Sequence, residues 1–431
     1  MGGEAVRFVR IPRRSLPPLG GLVAAVAVSL TGSRVAAVAL PWFVLVTTGS
    51  VTQTGVVAFC ETAPYVASKA LAGPWIDRLG PRRVSWVTDL ASAASVVLIP
   101  LLHALNLLSY ALLLVLVAVV GAVRGPGDLA KEVMVPQAAE LSGVALERGT
   151  GWIGVMERLS GTLGPMAGGG LVLLFGPMAG LAVNGAAFLL GSALVALALP
   201  KGMGGPVPAA GRESGYLRSL GEAFTLLRSD PLLVTIIVML TVTNFLDAAM
   251  WVLLPVWARD SGSGAGMFGL LLGVSSATAV GGSLVAATIA HRLSRRRVFF
   301  GGFLLGGAPK FLILAMDVPA WVVVAVFAVG GFGTGFLNPV LGAVLFERIP
   351  PELLGRVQGL GSSLAFAGTP LGGLLAGAGA AAVGLVPVLM TVGLAYLLAT
   401  VASGMRPEWR RMDEQRVSSP NPSHRAEALD A

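Results

Sequence analysis

Charged residues that interrupt long apolar runs are the side chains of this sequence best placed to do chemistry. A charge in hydrocarbon costs on the order of 2.5–3.5 kcal/mol, so such residues pair, line a water-filled cavity or carry protons. Eight lie in the amino-terminal half and two in the carboxy-terminal half: Arg34, Glu61, Lys69, Asp89, Arg124, Asp128, Glu157, Arg158, Asp247 and Lys310. This inequality predicts that chemistry involving ions or protons belongs to the first half and that the interior of the second half is more apolar.

Glu61 is the leading candidate for a proton carrier. It lies near the middle of an apolar run, beside Pro64. A neutral carboxyl group there can exchange a proton when the cavity around it changes sides. The alternative is a permanent ion pair with Arg34, which would make both residues structural.

Arg124 and Asp128 form a second pair of candidates. They are spaced so that they face one another on a helix. Between them, the sequence Gly125-Pro126-Gly127 weakens a helix, so this geometry is left open.

Other kinds of site have little support. Cys60 is the only cysteine, and His103, His291 and His424 are far apart in sequence. We therefore expect no cysteine cluster, no metal site and no haem. The sequence has no G-x4-G-K-[ST] loop and no serine–histidine–acid set, so we expect neither ATP-driven transport nor an enzyme, and no cofactor.

The composition indicates what must position these charges. Of the 431 residues, 55% are hydrophobic and only 12% are charged. Lipid can solvate the apolar surface that such a chain exposes, and water cannot. A bilayer span needs ~20 apolar residues. We predict an all-α membrane protein of twelve spans, with eleven as the main competitor, near 17–46, 52–73, 84–102, 107–130, 150–174, 178–199, 231–257, 264–290, 298–316, 319–345, 357–380 and 384–405.

The distribution of Lys and Arg predicts the orientation. With the amino terminus inside, basic residues collect in the cytoplasmic loops and only Arg259 lies outside. Both termini are then cytoplasmic, in the inner (cell) membrane, and the net charge of +8 indicates topology rather than nucleic-acid binding. The first apolar run is too long for a cleavable signal peptide.

The spans and the segments between them predict five regions. A cytoplasmic segment covers 1–16, and six-helix bundles cover 17–199 and 231–405. The linker 200–230 includes an amphipathic helix, and the polar tail 406–431 is expected to be disordered. The apolar face of the linker helix consists of Leu217, Leu220, Phe224 and Leu227.

Two motifs occur once in each half. "DRLGPRRV" at 77–84 aligns without a gap with "HRLSRRRV" at 291–298, and "GPMAGG" at 164–169 matches "TPLGG" at 369–373. Two pseudo-symmetric six-span halves form the parallel-repeat plan of one class of transporters. This plan and these motifs resemble the major facilitator superfamily over essentially the whole chain.

The resemblance implies a cytoplasmic gate after the second span. The family signature G-x-x-x-D-R-x-G-R-R is matched here with Pro81 at the first arginine position after the glycine. Ordinary positive-inside charges are the alternative reading. The residues that the signature assigns to the gate, with Asp89 following, are Gly73, Asp77, Arg78, Gly80, Arg82, Arg83 and Asp89.

A motif in the fifth span resembles that of exporters in this family. We expect it to bend at the proline and pack tightly against a neighbour in the other half; generic small-residue packing is the alternative. The matching positions, with serine replacing one glycine, are Gly151, Ser160, Gly164, Pro165, Gly168 and Gly169.

Further sequence features are similar to the proton-coupled drug exporters, which include macrolide, tetracycline and siderophore exporters. "ALPWFVLVTTGSVTQTGVV" at 39–57 and "ERIPPELLGRVQGL" at 347–360 carry this likeness. Arg124 resembles an arginine in the fourth span of these exporters that is linked to proton transfer. A purely structural salt bridge from Arg124 to Asp128 or Asp89 is the alternative. Ser33-Arg34 stands where the branch commonly has Gly-Asp, which weakens any proton site in the first span.

In this family the seventh span lines the central cavity. A polar and aromatic stripe on that span is therefore read as facing the substrate. Helix–helix hydrogen bonding is the alternative for Asn244, and interfacial anchoring is the alternative for both tryptophans. The stripe and its extensions are Thr243, Asn244, Asp247, Trp251, Trp42 and Asn338.

The function implied is secondary active transport. We expect export of a hydrophobic or amphipathic drug, natural product or siderophore in exchange for protons, by alternating access and as a monomer. The partners are then the small molecule, protons and the bilayer, without nucleic acid. Uptake by proton symport is the first alternative, and a lipid flippase or a non-transporting membrane scaffold is the second.

Overall fold

The computed structural model describes residues 18–205, 221, 224–289, 294–349 and 354–412. These ranges consist of helices and short connections, and they include no strand. The predictions for 1–16, for Leu217 and Leu220, and for 413–431 lie outside the described residues.

In the first half, the described residues 18–205 form seven helices. They are connected by tight turns: α4 and α7 each begin with a proline that follows a glycine at positive φ, Gly80 (85°) and Gly176 (80°). Only glycine adopts that conformation without strain, and proline suits the first helical turn. The helices are α1 (Pro18–Thr48), α2 (Val51–Leu71), α3 (Gly73–Leu79), α4 (Pro81–Ala104), α5 (Tyr110–Leu141), α6 (Leu146–Phe175) and α7 (Pro177–Ala198).

In the second half, nine helices lie within the described residues from 231 to 404. Three predicted spans are each divided into two shorter helices, at Gly307, at Gly335–Phe336 and at Ala367–Gly368. The helices are α8 (Pro231–Asp260), α9 (Gly264–Ile289), α10 (Arg295–Gly306), α11 (Ala308–Leu314), α12 (Ala320–Thr334), α13 (Leu337–Arg348), α14 (Leu354–Phe366), α15 (Thr369–Val383) and α16 (Leu385–Gly404).

The membrane character of the chain is confirmed. Within the described ranges, ten helical segments are long and apolar enough to cross a bilayer. The two charged helices α2 and α6 are not among them, although both coincide with predicted spans. Ten spans therefore follow from length and composition, and the total of twelve stays a prediction.

The chain divides into two compact units. Unit 1 comprises Met1–Phe43 and Cys60–Glu213, and unit 2 comprises Val44–Phe59 and Ser214–Ala431. Residues 44–59, predicted as part of the first bundle, group by contact with unit 2. The reason is close backbone packing in that unit: a Cβ added at Gly55 would lie 3.0 Å from the Gly373 carbonyl oxygen.

The sequence repeat has a structural counterpart. Helices α4 and α10 both begin at the fifth residue of the repeated motif, and the sixth residue is an arginine in each. In unit 1, Arg82 Nη2 donates to Ala196 O at 2.6 Å. In unit 2, Arg296 Nη2 donates to Gly404 O at 2.7 Å. Each arginine thus binds the carboxyl-terminal end of the last long helix of its half.

The segments after the last helices are ordered where they are described. The prediction of a disordered tail is wrong for 406–412: Pro407–Arg410 is a 3-10 turn, and Trp409 is fully buried with its ring centroid 4.9 Å from that of Phe300. The prediction failed because this polar segment contains one large aromatic residue, Trp409, that packs in the core. In the linker, residues 224–229 are helical, and Leu227 is buried against Leu233.

Candidate functional site

Two glycines bring helices α2 and α5 into backbone contact in unit 1. Gly121 and Gly125 are one helical turn apart on α5. A Cβ added at Gly121 would overlap the Glu61 carbonyl oxygen, and one added at Gly125 would lie 2.7 Å from the Tyr65 carbonyl oxygen. Small residues allow this approach, and it places the polar side chains of both helices within reach of one another.

Three contacts link the two helices at one constant spacing. Arg124 Nη1 lies 3.9 Å from Glu61 Oε1. Tyr65 donates from its hydroxyl to Asp128 Oδ2 at 3.2 Å, and Lys69 Nζ lies 2.8 Å from Glu132 Oε1. Each pair is 63 residues apart, so α2 and α5 run parallel and in register. We call this set the α2–α5 ladder: Glu61, Tyr65, Lys69, Arg124, Asp128 and Glu132.

Arg124 is the centre of the ladder. Its Nε lies 3.3 Å from Asp128 Oδ2, and its Cζ lies 5.3 Å from the centroid of the Tyr65 ring. Helix α5 is continuous through Gly125-Pro126-Gly127, and the four-residue pairing of Arg124 with Asp128 forms. The side chains of Glu61 and Arg124 are 36% and 24% exposed. A long, partly hydrated ion pair of this kind can rearrange when one member changes charge.

The alternative in which Glu61 forms its ion pair with Arg34 is wrong. The ion pair that Glu61 makes is the one with Arg124. Arg34 is exposed on α1, and its electrostatic partners include Glu157 of α6. The error arises because sequence order carries no information about which helices are neighbours.

The fifth-span motif packs against α1 within unit 1, and the expected contact with a neighbour in the other half stays a prediction. A Cβ at Gly164 would overlap Arg34 Cβ, and one at Gly168 would lie 2.9 Å from Val35 O, so α6 contacts α1. Ser160 Oγ lies 3.0 Å from Thr31 Oγ1 at the same interface. Of the remaining motif residues, Pro165 and Gly169 are buried and Gly151 is exposed.

Asp89 is not part of a surface loop network. Its side chain is buried in unit 1, where Lys131 Nζ donates to Oδ1 at 2.8 Å. Lys131 also donates to Ser29 Oγ of α1 at 3.3 Å. Lys131 was not among the predicted residues because the predicted fourth span ends at residue 130. The available signal was its position three residues after Asp128 in an apolar context.

The other predicted gate residues lie on or beside α3. Gly73 begins that helix, Asp77 and Arg78 are exposed on it, and Gly80 ends it. Ile76 anchors α3 in a buried cluster with Ala72, Val84 and Ala130. Arg82 binds the Ala196 carbonyl oxygen, and Arg83 is exposed. The structure describes how this segment is held, and its role as a gate stays a prediction.

In unit 2 the polar stripe does not present one open face. Thr243 is 1% exposed, and its hydroxyl donates to Met239 O. The prediction that Thr243 faces the substrate is therefore wrong. Asn244 Nδ2 donates to Ala365 O at 3.1 Å, which is the helix–helix hydrogen bond given as its alternative. The other tryptophan and asparagine candidates differ in exposure: Trp42 and Trp251 are half-buried, and Asn338 is exposed.

Asp247 belongs to a polar group that the sequence did not predict. Tyr396 of α16 donates from its hydroxyl to Asp247 Oδ2 at 3.3 Å. Lys310 of α11 attracts the same carboxylate electrostatically. In the ranges that the structure covers, no three His, Cys, Asp or Glu side chains are grouped so that they could hold a metal ion.

A multi-pass helical membrane protein with two repeated halves and charged side chains within its helical bundles has the architecture of a secondary transporter. The sequence matches the model of the Major Facilitator Superfamily over residues 22–250 and 238–427. The chain belongs to this family.

Two characterised relatives and one solved structure refine this comparison. The chain is 30% identical over 390 residues to the multidrug efflux pump Tap of Mycolicibacterium fortuitum, covering 89% of this chain and 94% of that protein. It is 30% identical over 389 residues to the pump of the same name from Mycobacterium tuberculosis, covering 89% and 91%. The fold resembles the nucleoside transporter NupG with a TM-score of 0.72, 13% identity and coverage of 92% and 99%.

Proposed function

We propose that this protein exports hydrophobic or amphipathic small molecules in exchange for protons, by alternating access. The α2–α5 ladder is the observation that carries the coupling, because it links one carboxyl group to a charge network inside a transmembrane bundle. The likeness to the Tap multidrug efflux pumps along nearly the whole chain supports export and a drug-like cargo. The basic loops support a cell-membrane location with both termini cytoplasmic. We expect a monomer, the usual state in the family.

Glu61 is the proposed proton carrier. When its carboxylate binds a proton, the attraction to Arg124 across 3.9 Å is lost, and Arg124 keeps Asp128 as its acidic partner. Release of the proton restores the negative charge and the attraction. Each exchange therefore changes the forces between α2 and α5, whose backbones touch at Gly121.

The proposed cargo follows from the scarcity of charge in unit 2. Asp247 and Lys310 are its predicted intramembrane charges, and both belong to one group with Tyr396. A surface with few hydrogen-bonding groups suits an apolar or amphipathic molecule better than a sugar. Asp77, Arg78 and Arg82 are proposed to brace the cytoplasmic gate.

Glu61→Gln tests the proposal because it removes the titratable proton and keeps the shape of the side chain. Proteoliposomes with an imposed pH gradient should show proton-driven ethidium movement with the wild type and at least ~100-fold less with the variant, the loss typical of a missing proton-transfer group. Glu140→Gln is the matched control, since Glu140 is an exposed acid at the end of the same helix α5. Unchanged proton-driven transport by Glu61→Gln would remove Glu61 from the mechanism.

A further inference from the structure

A groove runs along the outer surface of unit 2 between α10 and α16. Its volume is about 380 Å³. One end is basic and the rest is apolar, and two of its apolar side chains, Leu304 and Val401, are 43% and 50% exposed. The residues that line it include Arg296, Arg297, Phe300, Gly301, Leu304 and Val401.

Gly301 leaves part of the groove open because it has no side chain. In the repeated register of α4 and α10, the residue of unit 1 equivalent to Gly301 is Val87, which is 42% exposed. A Cβ added at Gly301 would meet no atom within 4 Å, so the space beside it is open. Unit 1 can therefore be compared with unit 2 at this position, because it has a valine side chain where unit 2 has glycine.

The two arginines place positive charge at one end of this apolar channel. Arg296 is held in position by the hydrogen bond from its Nη2 to Gly404 O. Arg297 is exposed, and no carboxylate of the described residues forms an ion pair with it. Both lie in the first turn of α10, at the start of the apolar segment Arg295–Leu314, which is long enough to cross a bilayer. In a membrane, this end of the segment is expected at the level of the phospholipid headgroups.

We propose that this groove binds one anionic phospholipid. The phosphate-bearing headgroup contacts Arg297 and Arg296, because a basic cluster at the end of a membrane helix attracts anionic lipid. One acyl chain lies beside Gly301, against Phe300, Leu304 and Val401. The positive charge of the groove selects an anionic headgroup. Its apolar wall holds the acyl chain of the lipid parallel to the acyl chains of the surrounding bilayer.

Delipidated protein titrated with dioleoylphosphatidylglycerol or dioleoylphosphatidylcholine, with bound lipid counted by native mass spectrometry, tests the site. The wild type should bind the anionic lipid more tightly. Arg297→Gln should bind it about fivefold more weakly, the factor that one basic residue contributes at an anionic surface. Gly301→Val should lose the bound lipid and still fold, because the added side chain enters open space.

Arg83→Gln is the matched control, since Arg83 occupies the same motif position in unit 1, where Val87 fills the space of Gly301. It should leave binding of the anionic lipid unchanged. Equal affinity for the two lipids, or equal weakening by Arg83→Gln and Arg297→Gln, would overturn the site. Displacement of the lipid by ethidium at the concentrations that are transported would assign the groove to cargo instead.

Discussion

Helices α4 and α10 have the same motif, the same starting position and the same arginine contact, but they bury different side chains. On α4, Ser85, Asp89 and Ser92 face the interior of unit 1. At the equivalent positions α10 buries Phe299, Phe303 and Gly306 in unit 2. One unit is therefore built around a buried ion pair and hydroxyl groups, and its repeat is built around an aromatic cluster.

The comparison indicates that a helix at this position of the repeat can be packed without a buried ion pair. The apolar arrangement in unit 2 holds the same helices together, and a buried ion pair is weak evidence for stability because two charges must leave water. Asp89 Oδ2 has no hydrogen-bond partner in the described ranges, which adds to this cost. The polar interior of unit 1 is therefore best explained by function, beside a ladder that carries the proposed proton coupling.

Removing one member of the Asp89–Lys131 ion pair should have the largest effect on stability. Lys131→Ala leaves the Asp89 carboxylate buried and uncompensated, and should lower the free energy of unfolding by about 3–5 kcal/mol. Chemical unfolding in detergent, followed by circular dichroism, measures the loss. The double variant Asp89→Leu with Lys131→Met should recover most of it. If the double variant is as unstable as the single one, the pair is a structural requirement.

Removing the aromatic anchor is the corresponding change in unit 2. Trp409→Ala deletes a fully buried side chain whose ring lies 5.3 Å from that of Phe299. The expected loss is about 3 kcal/mol, at the lower end for a large aromatic because the terminal segment can move away. Trp75→Ala, a change at a 67% exposed tryptophan, is the control and should have little effect. Similar losses for both would show that Trp409 does not anchor the segment.

Increasing the distance between α2 and α5 should reduce proton-driven transport more than it reduces the stability of the protein. Gly121→Ala places a methyl group against the Glu61 carbonyl oxygen, so the helices must move apart at a cost of about 2 kcal/mol. Proton-driven transport should fall more than the amount of folded protein does. Gly170→Ala is the control, because a Cβ at Gly170 meets nothing within 4 Å. Normal coupling in Gly121→Ala would mean that the close approach is not needed.

The sequence was most informative where the signal was local. The seventh helix, Pro177–Ala198, agrees closely with the apolar run at 178–199, and the spacing of Arg124 and Asp128 correctly predicted that they face one another. The pairing of Glu61 with Arg124 joins residues 63 positions apart, and no local pattern specifies such a neighbour. Lys131 was missed because α5 continues to Leu141, past the point where hydropathy falls.

The arginines that start the two repeated helices offer the smallest and most specific test. Arg82→Gln and Arg296→Gln each remove a charge-assisted hydrogen bond to a helix-end carbonyl oxygen, and each should lower the free energy of unfolding by about 1–2 kcal/mol. Because the contacts are equivalent, the two losses should be equal within error. Their transport should differ, since only Arg82 belongs to the proposed gate. Equal transport rates in proteoliposomes, measured for equal amounts of folded protein, would mean that Arg82 has only the structural role it shares with Arg296.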